Sequence, residues 1–146
     1  MNIPPMEVLL KRAYEKPART DGTRVLVDRL WPRGVNKQAA RLHAWLKDLA
    51  PSDGLRRWFH ARPSHWMRFR ALYLRELAEP AASRALEELY RLADKPRPLT
   101  LVYASRNTEH NNATVLKELL EGMRKPPSTA GPAAAARMRA RAVRRR

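Results

Sequence analysis

Leu99-Thr100-Leu101-Val102-Tyr103-Ala104 is a largely apolar run held between Pro96 and Pro98 on one side and Ser105-Arg106-Asn107 on the other. It is too short for a buried helix and rich in residues that favour a pleated surface. A continuous apolar run of this length, without polar alternation, is the pattern of a strand buried on both faces of a parallel sheet. A helical pattern follows at about 109–123, with Val115, Leu116, Leu119, Leu120 and Met123 inward. Strand followed by helix is the repeating unit of an α/β fold, and the search for its partners works outward from here.

Two earlier segments qualify as strands. Residues 6–14 read as one, and Arg24-Val25-Leu26-Val27-Asp28 as a second, β-branched and buried. Lys16-Pro17 through Asp21-Gly22 supplies a turn between them. Residues 37–42 suit a helical turn, and 44–49 fit either strand or helix. Ser52 is a good N-cap for a short helix to Phe59, since its hydroxyl accepts an amide left unpaired in the first turn. Ser64 would cap a helix to about Glu79, with Trp66, Phe69, Tyr73 and Leu77 on one face. Pro80 ends that helix, and another spans about 81–93 with Ala82, Leu86, Leu89, Tyr90 and Ala93 on its inner stripe. The clusters Trp58-Phe59 and Trp66-Met67 read as core. The expectation is a small three-layer α/β domain: a mostly parallel sheet of three or four strands with helices packed on it.

The 146 residues carry 30 Lys and Arg against 14 Asp and Glu, a net charge of +16. Eight of the cations follow Gly122, where no acid remains. Pro126-Pro127-Ser128-Thr129-Ala130-Gly131-Pro132 has linker composition, and the Ala/Arg segment after it offers little apolar surface to bury. This divides the chain into a domain over 1–124 and a disordered basic tail over 125–146. The tail's charge suits nonspecific nucleic-acid contact, although coding bias toward Arg explains the same composition. There is no Cys, which suits a cytoplasmic location and excludes disulfides and thiolate chemistry. No apolar run spans a bilayer and no secretory leader is visible, so no membrane partner is expected.

Polar side chains gather directly after two of the strands, and open α/β sheets collect ligands beyond the carboxyl ends of their strands. After the first come Asp28, Arg29, Trp31 and Arg33. After the second come Tyr103 at the strand's end, then Arg106, His110 and Asn111. If the two strands are parallel neighbours, both groups share one rim. Arg29 and Arg33 offer bidentate forks to phosphate or carboxylate, and Arg106 adds a third. Trp31 could stack on a planar group. The helix N-terminus would add free amides and partial positive charge. His110 is the acid/base candidate, because imidazole exchanges protons near neutrality. The plainer alternatives are an Asp28–Arg29 ion pair fixing the loop, loop packing by Trp31, and a helix-capping role for His110. No metal-ligand spacing, phosphate-loop glycine motif or nucleophile elbow occurs, and no metal or cofactor is expected.

The segments Arg24–Gly34, Trp45–Ser52, Leu55–Phe59, Tyr103-Ala104 and His110–Ala113 resemble the YeaO-like proteins, the domain family of unknown function numbered 488. The resemblance runs from about Val8 to Leu120 and leaves the tail outside. It implies a small bacterial-type cytoplasmic α/β domain and brings no activity with it. The chain departs from the family pattern at Asn107, where an acid is usual, and at His60, which stands one place early after Trp58-Phe59. Two ligand-binding functions therefore stay open, beside a third reading as a structural or interaction module without a small ligand. One is a pocket for a small anionic or nucleotide-like ligand at the sheet rim, with or without His-assisted chemistry. The other is a nucleic-acid-binding accessory acting through the tail and body. Whether the chain is an enzyme, and its oligomeric state, are left undecided by the residues.

Overall fold

Val8, Leu10, Val25, Val27, Leu99, Leu101 and Tyr103 alternate along their strands with residues of the opposite face, and all join one hydrophobic cluster. The computed structural model describes residues 7–124; the expected tail lies outside the described residues. The strands are β1 (Val8–Arg12), β2 (Thr23–Leu26), β3 (Ala44–Trp45) and β4 (Leu99–Tyr103). They form one sheet in the order β1-β4-β2-β3. Every pairing is parallel, with Leu10 opposite Leu101 and Val25 opposite Leu101 on either side of the central β4. This is the expected α/β architecture, and the two strands preceding the polar motifs are indeed parallel neighbours. The 44–49 segment resolves into the two-residue β3 and a 3₁₀ turn at Lys47–Leu49.

Among the described residues five α-helices accompany the sheet: α1 (Lys37–Ala40), α2 (Asp53–Ala61), α3 (Trp66–Leu77), α4 (Pro80–Ala93) and α5 (Asn112–Arg124). Leu55, Phe69, Tyr73, Leu77, Leu86, Leu89, Leu116 and Leu120 carry α2 to α5 into the cluster on the Val25–Leu101 face. Ser52 caps α2 as expected, its Oγ accepting from the Leu55 amide at 3.2 Å. Ser64 does not cap α3: the helix starts at Trp66 with His65 before it and no side-chain cap. Pro80 stands at the first turn of α4, where its missing N–H costs nothing. Met67 departs from the core expectation and is 69% exposed. Among the described residues no helix is long and apolar enough to cross a membrane.

The opposite face of the sheet holds a buried ion cluster. Asp21 accepts from Lys11 Nζ at 3.1 Å and from Arg24 Nη1 at 2.8 Å, and its Oδ2 also takes the Ala18 amide at 2.9 Å. Arg24 turns its Nε to the Ala40 carbonyl of α1 at 3.0 Å, and Thr100 Oγ1 donates to the Asp21 carbonyl at 2.6 Å. Gly22 then feeds the chain into β2 with φ +65°. A Cβ there would lie 2.1 Å from the Pro98 carbonyl oxygen, so only glycine fits between the turn and the entry to β4.

Candidate functional site

Asp28 joins the two strand ends. Its Oδ2 accepts from the Ala104 amide at 2.9 Å, one residue past β4. Its Oδ1 accepts from Asn112 Nδ2 at 3.1 Å, and the same amide group donates to the Val27 carbonyl at 3.0 Å. Trp45 Nε1 donates to the Asp28 carbonyl at 2.6 Å, adding the end of β3. Burial pushes the Asp28 carboxyl above its ordinary 3.8, against the opposing pull of the Ala104 amide, the Asn112 amide and the Arg56 charge. The first expectation for the rim therefore holds at Asp28: the segment after β2 and the segment after β4 meet there by direct hydrogen bonds.

The rest of the β2 loop is arranged for packing. Arg29 donates to the Ala50 carbonyl at 3.3 Å, so the Asp28–Arg29 ion pair weighed above is not formed. Trp31 gives its Nε1 to the Val35 carbonyl at 2.7 Å and meets Trp45 edge to face at 5.4 Å. The Lys37 ammonium sits 5.7 Å from the Trp31 ring centre. Gly34 at φ +81° reverses the loop. Arg33 is exposed and makes no hydrogen bond or ion pair among the described residues.

The β4–α5 segment is organised by side chains acting on backbone. Arg12 anchors it from β1, with Nε on the Ser105 carbonyl at 2.9 Å and Nη2 on the Ala104 carbonyl at 3.1 Å. Asn107 Oδ1 accepts from the amides of Glu109 at 3.0 Å and His110 at 2.9 Å. Asn111 then caps α5 reciprocally with Thr114. Its Oδ1 takes the Thr114 amide at 3.0 Å while Thr114 Oγ1 takes the Asn111 amide at 3.1 Å. Asn111 Nδ2 goes to the Asn107 carbonyl at 2.7 Å. The helix thus starts at Asn112 and not at Glu109, and His110 precedes its first turn. The capping work falls to Asn111. The His110 ring lies on Trp66 at 4.5 Å with 14° between planes.

Tyr103 belongs to the core cluster and is 3% exposed. Burial and the Glu15 charge push its phenol up, against Arg12 and a hydrogen bond with Asn111. Arg106 is exposed and has no acidic partner among the described residues. Two residues of this region escaped the sequence reading. Asn112 was visible inside its motif but indistinguishable from Asn111. Arg56 comes from α2, and nothing in the local pattern links it to Asp28. Among the described residues no group of three His, Asp or Glu could hold a metal ion. A separate open groove of 340 Å³ lies between α2 and α3, lined by Ser52, Leu55, Leu72, Arg75, Glu76 and Glu79, and includes none of the expected site residues.

A family model described as the inactive DUF488-N3 subclade matches residues 7–136. The uncharacterized protein YeaO of Escherichia coli is 42% identical over 120 residues, covering 81% of this chain and all of that protein. An uncharacterized protein of Mycobacterium tuberculosis is 42% identical over 115 residues, covering 79% of this chain and 94% of the relative. A Mycobacterium bovis relative, also uncharacterized, shows the same identity and coverage. No solved structure matches the chain.

Proposed function

The chain belongs to the DUF488 family, in the subclade described as inactive, and from that premise we propose that it binds a small anionic, nucleotide-like ligand without turning it over. The ligand sits at the rim formed by the carboxyl ends of β2 and β4, in a cytoplasmic domain comprising residues 1–124. The observation that supports this reading is the Asp28 junction with Ala104 and Asn112, which ties the end of β2, followed by Arg29 and Arg33, to the end of β4, followed by Arg106. None of these three guanidiniums has an acidic partner within hydrogen-bonding reach among the described residues. Loops held in place, with guanidiniums that no carboxylate neutralises, recognise phosphate or carboxylate at low ordering cost. Asp28 acts as the fixed post of the site, and Trp31 and Asn111 hold its loops. His110, held flat on Trp66, contributes a contact rather than a proton transfer.

The test is thermal stabilisation of the full chain by inorganic phosphate, nucleoside phosphates and sugar phosphates. A ligand at a hundred times its dissociation constant adds about 2.7 kcal/mol. Arg33→Ala abolishes that stabilisation, and Arg33→Lys restores part of it, because an ammonium lacks the fork. Removing residues 126–146 leaves it intact. An Arg33→Ala protein stabilised by every ligand as the parent is would remove the site from this rim.

A further inference from the structure

Between Gly54 and Arg75 the chain carries six arginines and two histidines and no Asp or Glu. With 14 acids in 146 residues, a run of this length would ordinarily hold some. The run folds into α2, the turn at 62–65 and most of α3. Its apolar side chains Leu55, Phe69 and Tyr73 face the core, so its cations are driven outward. Arg57, His60, Arg62, His65 and Arg68 are all exposed. Arg56 and Arg57 share Asp53, and Arg70 pairs with Glu118. Arg62 and Arg68 have no acidic partner among the described residues.

Rings surface among these cations. Trp58 is half-buried, with His65 at 5.6 Å and the Arg62 guanidinium at 5.8 Å from its ring. Trp66, also half-buried, stacks on Phe69 with 26° between planes, and Phe69 on Tyr73 with 26°. His110 continues that ladder outward and is exposed. The outermost rings are thus braced from the core and lose little freedom when another flat group settles on them.

We propose that the α2–α3 hairpin is a docking surface for single-stranded nucleic acid, with Arg62 and Arg68 on phosphates and Trp58 and His110 as stacking platforms for bases. Cations alone would suit any polyanion, but ring faces need bases free of a duplex stack. An anionic bilayer fits less well. Surface-lying helices insert a broad apolar stripe, and on this hairpin Met67 is the large apolar residue that stands clear of the protein among the described residues. The surface is independent of the small-ligand rim except for His110, so Arg62, Arg68 and Trp58 carry the test.

The experiment titrates the full chain into a fluorescein-labelled dT oligomer of about 15 nucleotides, a length suited to one small domain, at several salt concentrations. Arg62→Ala with Arg68→Ala lowers the slope of log affinity against log salt by about 1.4, or roughly 0.7 per lost phosphate contact on a single strand. Trp58→Leu, which keeps apolar bulk but removes the ring, weakens binding about 5- to 160-fold. Arg84→Ala with Arg97→Ala removes the same charge elsewhere and leaves affinity within about twofold. Ultraviolet cross-linking of the parent places the oligomer on the segment 57–68, a readout that stands even if Trp58→Leu fails to fold. Equal losses from both arginine pairs, cross-links confined to 125–146, or a duplex bound as tightly as the single strand would overturn the proposal. So would binding to phosphatidylserine vesicles with no binding to the oligomer.

Discussion

Tyr73→Phe removes one oxygen atom from the centre of the protein. The Tyr73 side chain is fully buried, and its hydroxyl donates to the Leu49 carbonyl at 2.5 Å. No backbone amide from another described element donates to that carbonyl. The variant keeps the ring packing on Phe69 and strands a buried acceptor, which costs about 1–3 kcal/mol. With a urea slope of about 2 kcal/mol/M, a loss of about 2 kcal/mol moves the unfolding midpoint down by about 1 M with the slope unchanged. Burial, then the Asp28 and Glu76 charges, push the phenol well above its ordinary 10.0. The native state therefore keeps the proton while the unfolded chain releases it. The parent's phenol contribution is complete below pH 10.0 and is lost as pH rises toward the native value. Phenylalanine has no such loss. The gap between parent and variant narrows as pH rises above 10.0, by up to about 1.4 kcal/mol per unit. Urea unfolding of both proteins from pH 7 to about pH 11.5 reads this directly. A gap constant across that range, or no gap at pH 7, would refute the account of the buried phenol.

Gly22→Ala places a methyl 2.1 Å from the Pro98 carbonyl oxygen at a φ of +65°, and backbone strain alone costs about 1–3 kcal/mol; a thermal melt indistinguishable from the parent's would show that the turn relaxes freely. Asp21→Asn leaves the buried Arg24 guanidinium without its carboxylate and lowers stability by about 3–5 kcal/mol near neutrality. Burial alone would raise the Asp21 carboxyl, but the Ala18 amide, Lys11 and Arg24 together hold it below its ordinary 3.8. That stabilisation is present above pH 3.8 and lost as pH falls through the lower native value, so the variant's deficit shrinks in acid. A deficit that stays constant down to pH 2 would contradict it.

The strands were legible where burial is continuous, as at Leu99–Tyr103 and Val25-Leu26, because such runs have no other stable environment. β3 was not, since two paired residues leave no period to read. The start of α5 was misplaced because Asn107 and Asn111 redirect local amides to side chains, a competition that propensity alone does not rank. At the site, Asp28 was visible from its place after an apolar strand. Its partners were not: Asn112 lies 84 residues away and the Ala104 amide is backbone. Met67 was read inward from the ring beside it, whereas the helical turn sets it on the opposite side from Phe69 and Tyr73.

The strand order sets a timetable. β4, the central strand, is made after all its sheet partners, and it separates β1 from β2. A ribosome that has delivered residues as far as α4 has released β1 with nothing to pair with, and β2 with only the two-residue ladder to β3. Arg12 waits for Tyr103, 91 positions downstream, before its ladder is complete. Long-range parallel pairing of this kind is slow, and open strand edges invite wrong partners meanwhile. The nascent chain therefore gains its sheet in one late insertion. A stop codon before Leu99 leaves a fragment with two apolar strands exposed to any neighbour, because the strand that would join them is never made.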